Sequence, residues 1–481
     1  MVRLRAGKAP KQSKLSPTAV SFSKRLLSRI STPTLPLPLW LSTGMSALWL
    51  LFLLLALLSH SNGWQQGPFT WGGVWLPGGW RVGFLSLLPL LLAVGLAWRW
   101  WEAQRSGDWS WGAWRVTLPL VGLTLLAAVN GVIWQWDTAV LMLILFWLVY
   151  LSLIHFFPPQ PPWYGLIAVI ALVIIVQAGV AVAQFGLQRE LGLAWLGEPT
   201  LTPFERGISV VMNGEAPWLR AYGLNSHPNR LGWKLVLLWL MLWPCQRIAT
   251  GWLRAVVWLA LLSGMAGILV SLSRSAWLAW LAGTAVFLLA DWVSWRKKLL
   301  RPSRHLLRSR SHLLLVGLML AGPTLFALAY EPLVVGRFSR PSDALEILSL
   351  SERLRDAPLA WQLMLNNPWS GVGLGQYRQA ATQLHPLAGL VHATPLLVGA
   401  ELGMPGFLGW LCLLAAPLLR RDLLLTFAPQ TAVWVAIILI GLLQPEPTPF
   451  TMQGAILFGM AAALWSVPWP TPNLPILRGS C

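Results

Sequence analysis

Charge is what this chain has least of. Only 11% of its 481 residues are Asp, Glu, Lys or Arg, where a soluble domain carries roughly a quarter, so most of its surface cannot face water. Acids are scarcer still, 16 against 35 Lys and Arg, for a formal charge of +19. In a soluble protein that surplus would point to nucleic acid. Here its placement in short segments points to membrane topology instead, and no nucleic-acid partner is expected. Three cysteines, Cys245, Cys412 and Cys481, show neither metal-like spacing nor a disulfide framework. Walker and Asp-x-Asp motifs are missing, and Gly371-x-Gly373-x-Gly375 lacks the βαβ surroundings of a dinucleotide site. A nucleotide-sugar donor held through a metal is therefore not expected, and neither a metal nor a cofactor is assigned. No internal repeat is visible, which weighs against transporters built from duplicated halves.

What the chain has in abundance is apolar helix former. Hydrophobic residues make up 56% and tryptophan occurs 33 times, as suits a protein whose indole rings sit at the water–lipid interface. The fold class is read as all-α, a polytopic membrane protein. Runs long enough to span, about 17–25 residues, fall near 39–59, 82–98, 116–134, 138–157, 164–184, 231–246, 252–271, 275–292, 313–330, 392–418, 423–443 and 451–467, twelve in all. The first is read as an uncleaved helix, because no small-x-small site follows it before Gly63.

Basic residues in short loops mark the cytoplasmic side. Eight lie in residues 1–39 with no acid, seven between Arg296 and Arg310, and Arg420-Arg421 follow. Together they predict both termini inside. The expected organisation is a basic cytoplasmic tail (1–38), N-terminal helices (39–184), an outer segment (185–230), further helices (231–330), a large, partly helical outer loop on the periplasmic side (331–391), C-terminal helices (392–467) and a cytoplasmic tail (468–481). The basic tail needs nothing beyond anionic headgroups as a partner.

Polar residues gather in the segments placed outside. The 331–391 segment keeps Arg337, Arg340, Arg353, Arg355 and Arg378 against the charge rule, which makes it a candidate anion-binding surface; neutralising acids at 343, 346, 352 and 356 allow a merely solvated loop. Ser349-Leu-Ser-Glu352 fits a capping box, predicting a helix from there to about Asn366, with a kink or restart at Pro358. Arg220, Gly223 and His227-Pro228-Asn229 close the 185–230 segment; a turn plus helix cap would explain the last three as well as a site would. Arg274, flanked by Ser273 and Ser275, fits a bound anion, a buried acid partner or an interfacial snorkel. His392 opens the tenth apolar run and Glu401 lies inside it. Nine residues separate them, about 13 Å of helix, too far for a dyad, so Glu401 is read as a support. Guanidinium groups grip phosphate oxygens bidentately, and a histidine near neutral pKa can take a proton from a sugar hydroxyl. These are the parts that glycosyl transfer from a diphosphate requires.

With these residues in view the chain resembles the bacterial O-antigen ligase and polymerase superfamily, which includes protein O-oligosaccharyltransferases. The matching pieces are Arg220/Gly223/His227-Pro228-Asn229, Ser273-Arg274-Ser275, Arg353, Pro368/Gly371/Gly373/Gly375, His392 and Glu401/Gly403/Gly406, in the family's order and across about residues 185–450. The resemblance implies an enzyme in the bacterial inner (plasma) membrane with its site on the outer face. It would transfer a glycan from an undecaprenyl-diphosphate carrier to a glycan, lipid or protein acceptor, with inversion and without metal. His392 would be the general base, Arg220, Arg274 and Arg353 would bind the diphosphate, and His227, Asn229 and Glu401 would support them. Ligase and polymerase share these motifs. A small-anion (inorganic carbon) transporter and a non-catalytic envelope scaffold are the readings from other classes. Two positions depart from the family pattern: Ala393 stands where Asn usually follows the histidine, and Ala357-Pro358 where a Trp often follows the loop arginine. Trp361 is a substitute for the second, and His385 is the alternative base.

Overall fold

The structure is a computed structural model that describes residues 39–58, 74–76, 80–82, 87–134, 138–156, 163–202, 207–213, 216–299, 309–339, 344–420, 423–424, 426–446, 448 and 450–466. The basic N-terminal segment, the tail beyond 467 and Arg301, Arg304 and Arg308 lie outside the described residues. The chain is mostly helical. In order come α1 (Leu39–Leu58), a small hairpin of β1 (Val74–Leu76) and β2 (Trp80–Val82), α2 (Leu87–Ser106), α3 (Trp114–Trp134), α4 (Thr138–Phe156) and α5 (Trp163–Leu187). A second hairpin follows, β3 (Val210–Asn213) and β4 (Ala216–Leu219), then α6 (Pro228–Leu242), α7 (Gly251–Val270), α8 (Arg274–Leu299), α9 (Ser309–Ala329), α10 (Glu331–Ser339), α11 (Ala344–Asn366), α12 (Tyr377–Leu384), α13 (Thr394–Ala415), α14 (Ala428–Leu443) and α15 (Met452–Ala463). Both hairpins are antiparallel, β3 pairing with β4 from Val210↔Leu219 to Asn213↔Ala216.

Each of the twelve apolar runs contains a helix, but they differ in reach. Among the described residues five are long and apolar enough to cross a membrane, or six if α9 and α10, bent by 92°, form one broken span. Shorter apolar helices, such as Val140–Phe156 and Ala428–Leu443, fall below the roughly 20 residues that a hydrocarbon core of about 30 Å asks for. Helix α6 is the centre of the bundle. Apart from Lys234 it is apolar from Leu231 to Leu242, and all of that stretch is buried, as a helix that is hydrophobic all round must be; it packs against α5, α7, α8 and α14. Lys234 inside it is wholly buried and donates to the Leu57 carbonyl at the end of α1 (3.0 Å).

Three local expectations change. The helix expected to begin at Ser349 starts five residues earlier, at Ala344. Pro358 does not split it: the helix runs unbroken to Asn366, and Pro358 lies on an exposed face. The tenth run, by contrast, is two helices, because α13 breaks at Gly403 (φ 71°, ψ −170°). A side chain at Gly403 would strike the Pro368 carbonyl oxygen at 2.6 Å, since the turn after α11 is wedged into the break and the Met404 N–H donates to that same oxygen (2.7 Å). Region 331–391 is thus largely helix, folded back on α13.

Candidate active site

Arg220 ends the second hairpin and is held between two turns. Its Nε donates to the Ser271 carbonyl (3.0 Å) and its Nη2 to Asn229 Oδ1 (2.7 Å). The backbone that presents it is clamped by two buried amides on α5, seven residues apart and so on one helix face. Gln184 Oε1 accepts from the N–H groups of Tyr222 and Gly223, and Gln177 Oε1 from that of Leu224. Gly223 has φ 56°, and a side chain there would meet Gln177 Oε1 and Leu231 at 2.8 Å. The spacing Arg220-x-x-Gly223 is therefore the spacing of a clamped turn.

His227 caps α6 with its own ring. Nδ1 accepts from the Asn229 N–H (3.1 Å), and Pro228 fills the first turn, where a missing donor costs nothing. Burial, then the cations Arg220 and Arg230, pull its pKa down to about 3. A neutral ring accepting at Nδ1 carries its proton at Nε2, which donates to Ser209 Oγ (3.1 Å). Asn229 is left for Arg220 and for Gln444, whose Oε1 accepts from Asn229 Nδ2 (3.3 Å).

Arg274 starts α8 after a sharp turn in which Leu272 has φ 47°. The serines around it are small for a reason: a side chain at Gly232 of α6 would lie 2.7 Å from Ala276 and 3.1 Å from Ser271 Oγ. Arg274 Nη1 donates to the Arg337 carbonyl (3.1 Å) while Arg337 Nε donates to that of Leu272 (3.1 Å), so the two arginines fix one another. Arg337 was one basic residue among five in its segment, with nothing local to single it out. Gln444 was also missed. It joins three elements, donating to Ser275 Oγ (2.9 Å) and accepting from Asn229 and, at its carbonyl, from Thr394 (3.0 Å).

These groups surround one cavity of about 920 Å³ at one end of the bundle. Arg220, His227, Asn229, Arg274, Arg353 and His392 all line it, together with Arg337, Gln444 and a single acid, Glu352. His392 precedes the N-cap of α13. Its side chain makes no hydrogen bond to any described residue, and its Nδ1 is buried. Burial first, then the Arg353 charge, lower its pKa, with Asp356 opposing, which keeps the imidazole neutral around pH 7. Four guanidinium groups against one carboxylate give the cavity lining an excess of positive charge. Among the described residues no cluster of three or more His, Cys, Asp or Glu gathers to hold a metal.

Glu401 lies elsewhere. Its Oε1 accepts from the Tyr377 N–H (3.4 Å), its carbonyl accepts from Gly373 N–H (3.2 Å), and that of Ala400 from Val372 N–H (2.9 Å). A side chain at Gly371 would overlap the Glu401 carbonyl. Asn130, buried in α3, completes the clip by donating to Ser370 O (2.6 Å) and accepting from Leu374 N–H (2.8 Å). The two glycine-bearing motifs therefore lock α11 and its turn onto the break in α13. His385 is not at the cavity: it ends α12, where its Nδ1 accepts from the Leu387 N–H (3.2 Å). Nor is Trp361, which is 44% exposed and packs edge-on against Phe407.

Residues 255–411 match the Wzy_C family, O-antigen ligase. Over that stretch, about a third of the chain, the match supports a likeness to the O-antigen ligase superfamily. The matched stretch runs from α7 through α13 and so carries Arg274, Arg337, Arg353, His392 and the Glu401 clip of this ligase-type domain. Arg220, His227 and Asn229 precede it and line the same cavity. No curated protein matches the chain.

Proposed function

We propose that this protein is a membrane glycosyltransferase that moves a glycan from undecaprenyl diphosphate to an acceptor hydroxyl, as ligase or polymerase, at the outer face of the bacterial plasma membrane. The observation that carries the reading is the meeting of Arg220, Arg274, Arg337 and Arg353 with a neutral, half-buried His392 in one cavity. His392 takes the proton of the acceptor hydroxyl. The oxygen bonds to the anomeric carbon on the face opposite the diphosphate, the carbon–oxygen bond to the diphosphate breaks, and its electron pair leaves with the phosphate. Configuration inverts. The guanidinium groups neutralise the leaving charge, and fixed donors of this kind need no reorganisation during the reaction. Orientation of the two substrates supplies much of the remainder. Gln444 and Asn229 brace Arg220 and Ser275, while Glu401 holds the α13 break that sets His392 at the rim.

The outer placement rests on the basic segments assigned to the other side, with both termini cytoplasmic. Purified protein incubated with an undecaprenyl-diphosphate glycan and a panel of glycan, lipid A-core and peptide acceptors tests the reading by product identification. An elongated or transferred glycan with inverted linkage is expected; uptake of labelled bicarbonate into proteoliposomes without any transfer would overturn it.

A further inference from the structure

The end of the bundle away from the cavity carries two arginines that the transfer chemistry does not use. Arg115 stands in the first turn of α3, and Arg420 follows the short 3-10 turn Ala416–Leu419 that continues α13. The cavity lies where α14 ends, at Leu443 and Gln444, whereas Arg420 lies near where α14 begins, 16 residues or about 24 Å of helix away. Packing draws the two arginines into one neighbourhood. Helix α3 lies against the Ala416–Leu419 turn. The Ala113 N–H, just ahead of α3, donates to Ser466 Oγ (2.7 Å). Trp465, beside that serine, is one of two rings under the Arg420 guanidinium, at 6.0 Å, with Phe427 at 4.1 Å. The Arg115 guanidinium lies 5.3 Å from the Trp114 ring.

Two cations brought together this way need a counter-charge, and the described residues do not supply one. Aromatic faces attract a guanidinium group but carry no net charge. Neither arginine forms an ion pair with a described acid. Asp108, in the loop ahead of α3, is taken by Arg99 (2.6 Å). Arg115 Nη1 is buried with no acceptor among the described residues, so its charge is not met from the protein side. Arg421 and Asp422, next in sequence, lie outside the described residues and cancel in formal charge. Burial, then the Arg115 charge, lowers the pKa of Arg420. Both arginines keep part of their surface open, so an anion can reach them from outside the bundle.

The surroundings of the two arginines decide which anion fits. Trp114 is 68% exposed, Leu118, one turn further into α3, is 66% exposed, and Leu419, next to Arg420, is 73% exposed. A free phosphate gains nothing from bare apolar side chains. A phospholipid does, because its acyl chains can lie over them while its phosphate oxygens meet the planar guanidinium forks. Basic pockets between spanning helices hold anionic headgroups by this combination. We propose that Arg115 and Arg420 form a binding site for the phosphodiester of an anionic glycerophospholipid, seated between α3 and the end of α13 with its acyl chains against Leu118 and Leu419. The site is separate from the cavity, and its occupancy is read without any glycan transfer.

The test uses delipidated full-length protein in detergent micelles, titrated with palmitoyl-oleoyl phosphatidylglycerol and followed by native mass spectrometry. Phosphatidylcholine with the same chains and inorganic phosphate are the comparison probes. Phosphatidylglycerol is expected to bind more tightly than either. Arg115→Gln and Arg420→Gln should each weaken it about tenfold to a hundredfold, the loss of a hydrogen bond between charged groups. Removing one basic charge near a membrane surface costs only about fivefold, so Arg105→Gln, at the exposed end of α2, sets the floor. Arg115→Lys and Arg420→Lys keep the charge that orients the helices and lose the fork. They carry the test where the glutamine variants do not accumulate, and should still fall below that floor. Losses no larger than that of Arg105→Gln would overturn the site, leaving a diffuse basic surface. Equal binding of phosphatidylcholine, or of inorganic phosphate, would overturn the anionic-lipid assignment. Lipid binding lost in Arg274→Gln and kept in the Arg115 and Arg420 variants would place the lipid in the cavity and overturn the proposal as well.

Discussion

Two helices open onto the cavity with a histidine at the mouth and a proline in the first turn, and they use the histidine in opposite ways. At the mouth of α6, His227 is itself the N-cap, and both ring nitrogens are engaged, one with the Asn229 N–H and one with Ser209. At the mouth of α13, Ala393 occupies the N-cap and makes no side-chain cap bond. His392, one residue earlier, is thereby released from capping and keeps a buried Nδ1 that binds nothing described. Both rings are neutral near pH 7, for the same cause: burial, reinforced by neighbouring arginines. Beyond the depth of that shift, which takes His227 down to about 3, what separates the two is employment. A histidine that holds a helix start in place has no nitrogen left for a substrate.

The largest test of that contrast is to remove each ring. His392→Ala should lower kcat for glycan transfer by about 10²–10⁴, the usual span of a general base, while the protein still inserts and accumulates. His227→Asn keeps a good capping side chain and should cost far less. Equal losses in the two variants would erase the distinction. The arginines come next. Arg274→Ala removes a charge-assisted hydrogen bond worth about 1.5–3 kcal/mol, so kcat/KM for the donor should fall about tenfold to a hundredfold, chiefly through KM if the contact is made before the reaction. An unchanged donor dependence would leave Arg274 as a brace for Arg337.

Proton linkage separates the histidines again. Arg353 lowers the pKa of His392, so Arg353→Gln should raise it and move the acid limb of the kcat/KM profile to higher pH, with His392 still required. For His227 the sign concerns stability. A histidine whose folded pKa falls from 6.5 to about 3 contributes its full stability above the unfolded value and loses it as pH drops through that window. Thermal midpoints should therefore decline on acidification below pH 6.5, and His227→Asn should flatten that slope. A slope that survives the substitution belongs to other groups.

Much of the site was legible because it breaks local rules. Arginines placed against the charge bias, a Ser-Arg-Ser between greasy helices and a histidine at a helix mouth each stand out from an apolar background, and the cavity brings Arg220, Arg274, Arg353 and His392 together. Gln177, Gln184, Asn130 and Gln444 were not found, although amides in or beside apolar helices are themselves a signal. Their partners are backbone groups and side chains up to some hundreds of residues away, which no local pattern reveals. The fold divides similarly. Apolar runs predict helices well, but whether a helix is long enough to span or is broken depends on distant contacts. The break at Gly403 is filled by Pro368 and Trp369, partners that no local pattern reveals, although Pro405 two residues on is a breaker the sequence does show.

Ala393 offers the smallest and finest test. Its φ of −150° and ψ of 107° are those of an N-cap residue, and its carbonyl already accepts from the Leu397 N–H (3.0 Å). The cap side chain is all that is missing. Pro395 has no N–H to give, and the Thr394 hydroxyl is turned to the Gln444 carbonyl, so the Leu396 N–H is the donor that an asparagine at 393 would take. Ala393→Asn should then stabilise the protein by about 0.5–2 kcal/mol, read as a higher thermal midpoint, and leave the transfer rate where it was. A rate that climbs together with the midpoint would mean that the start of α13 also aims His392. The mouth of α13 would then resemble that of α6 more closely than the two rings alone imply: in each, the cap would set the geometry and the histidine would follow it.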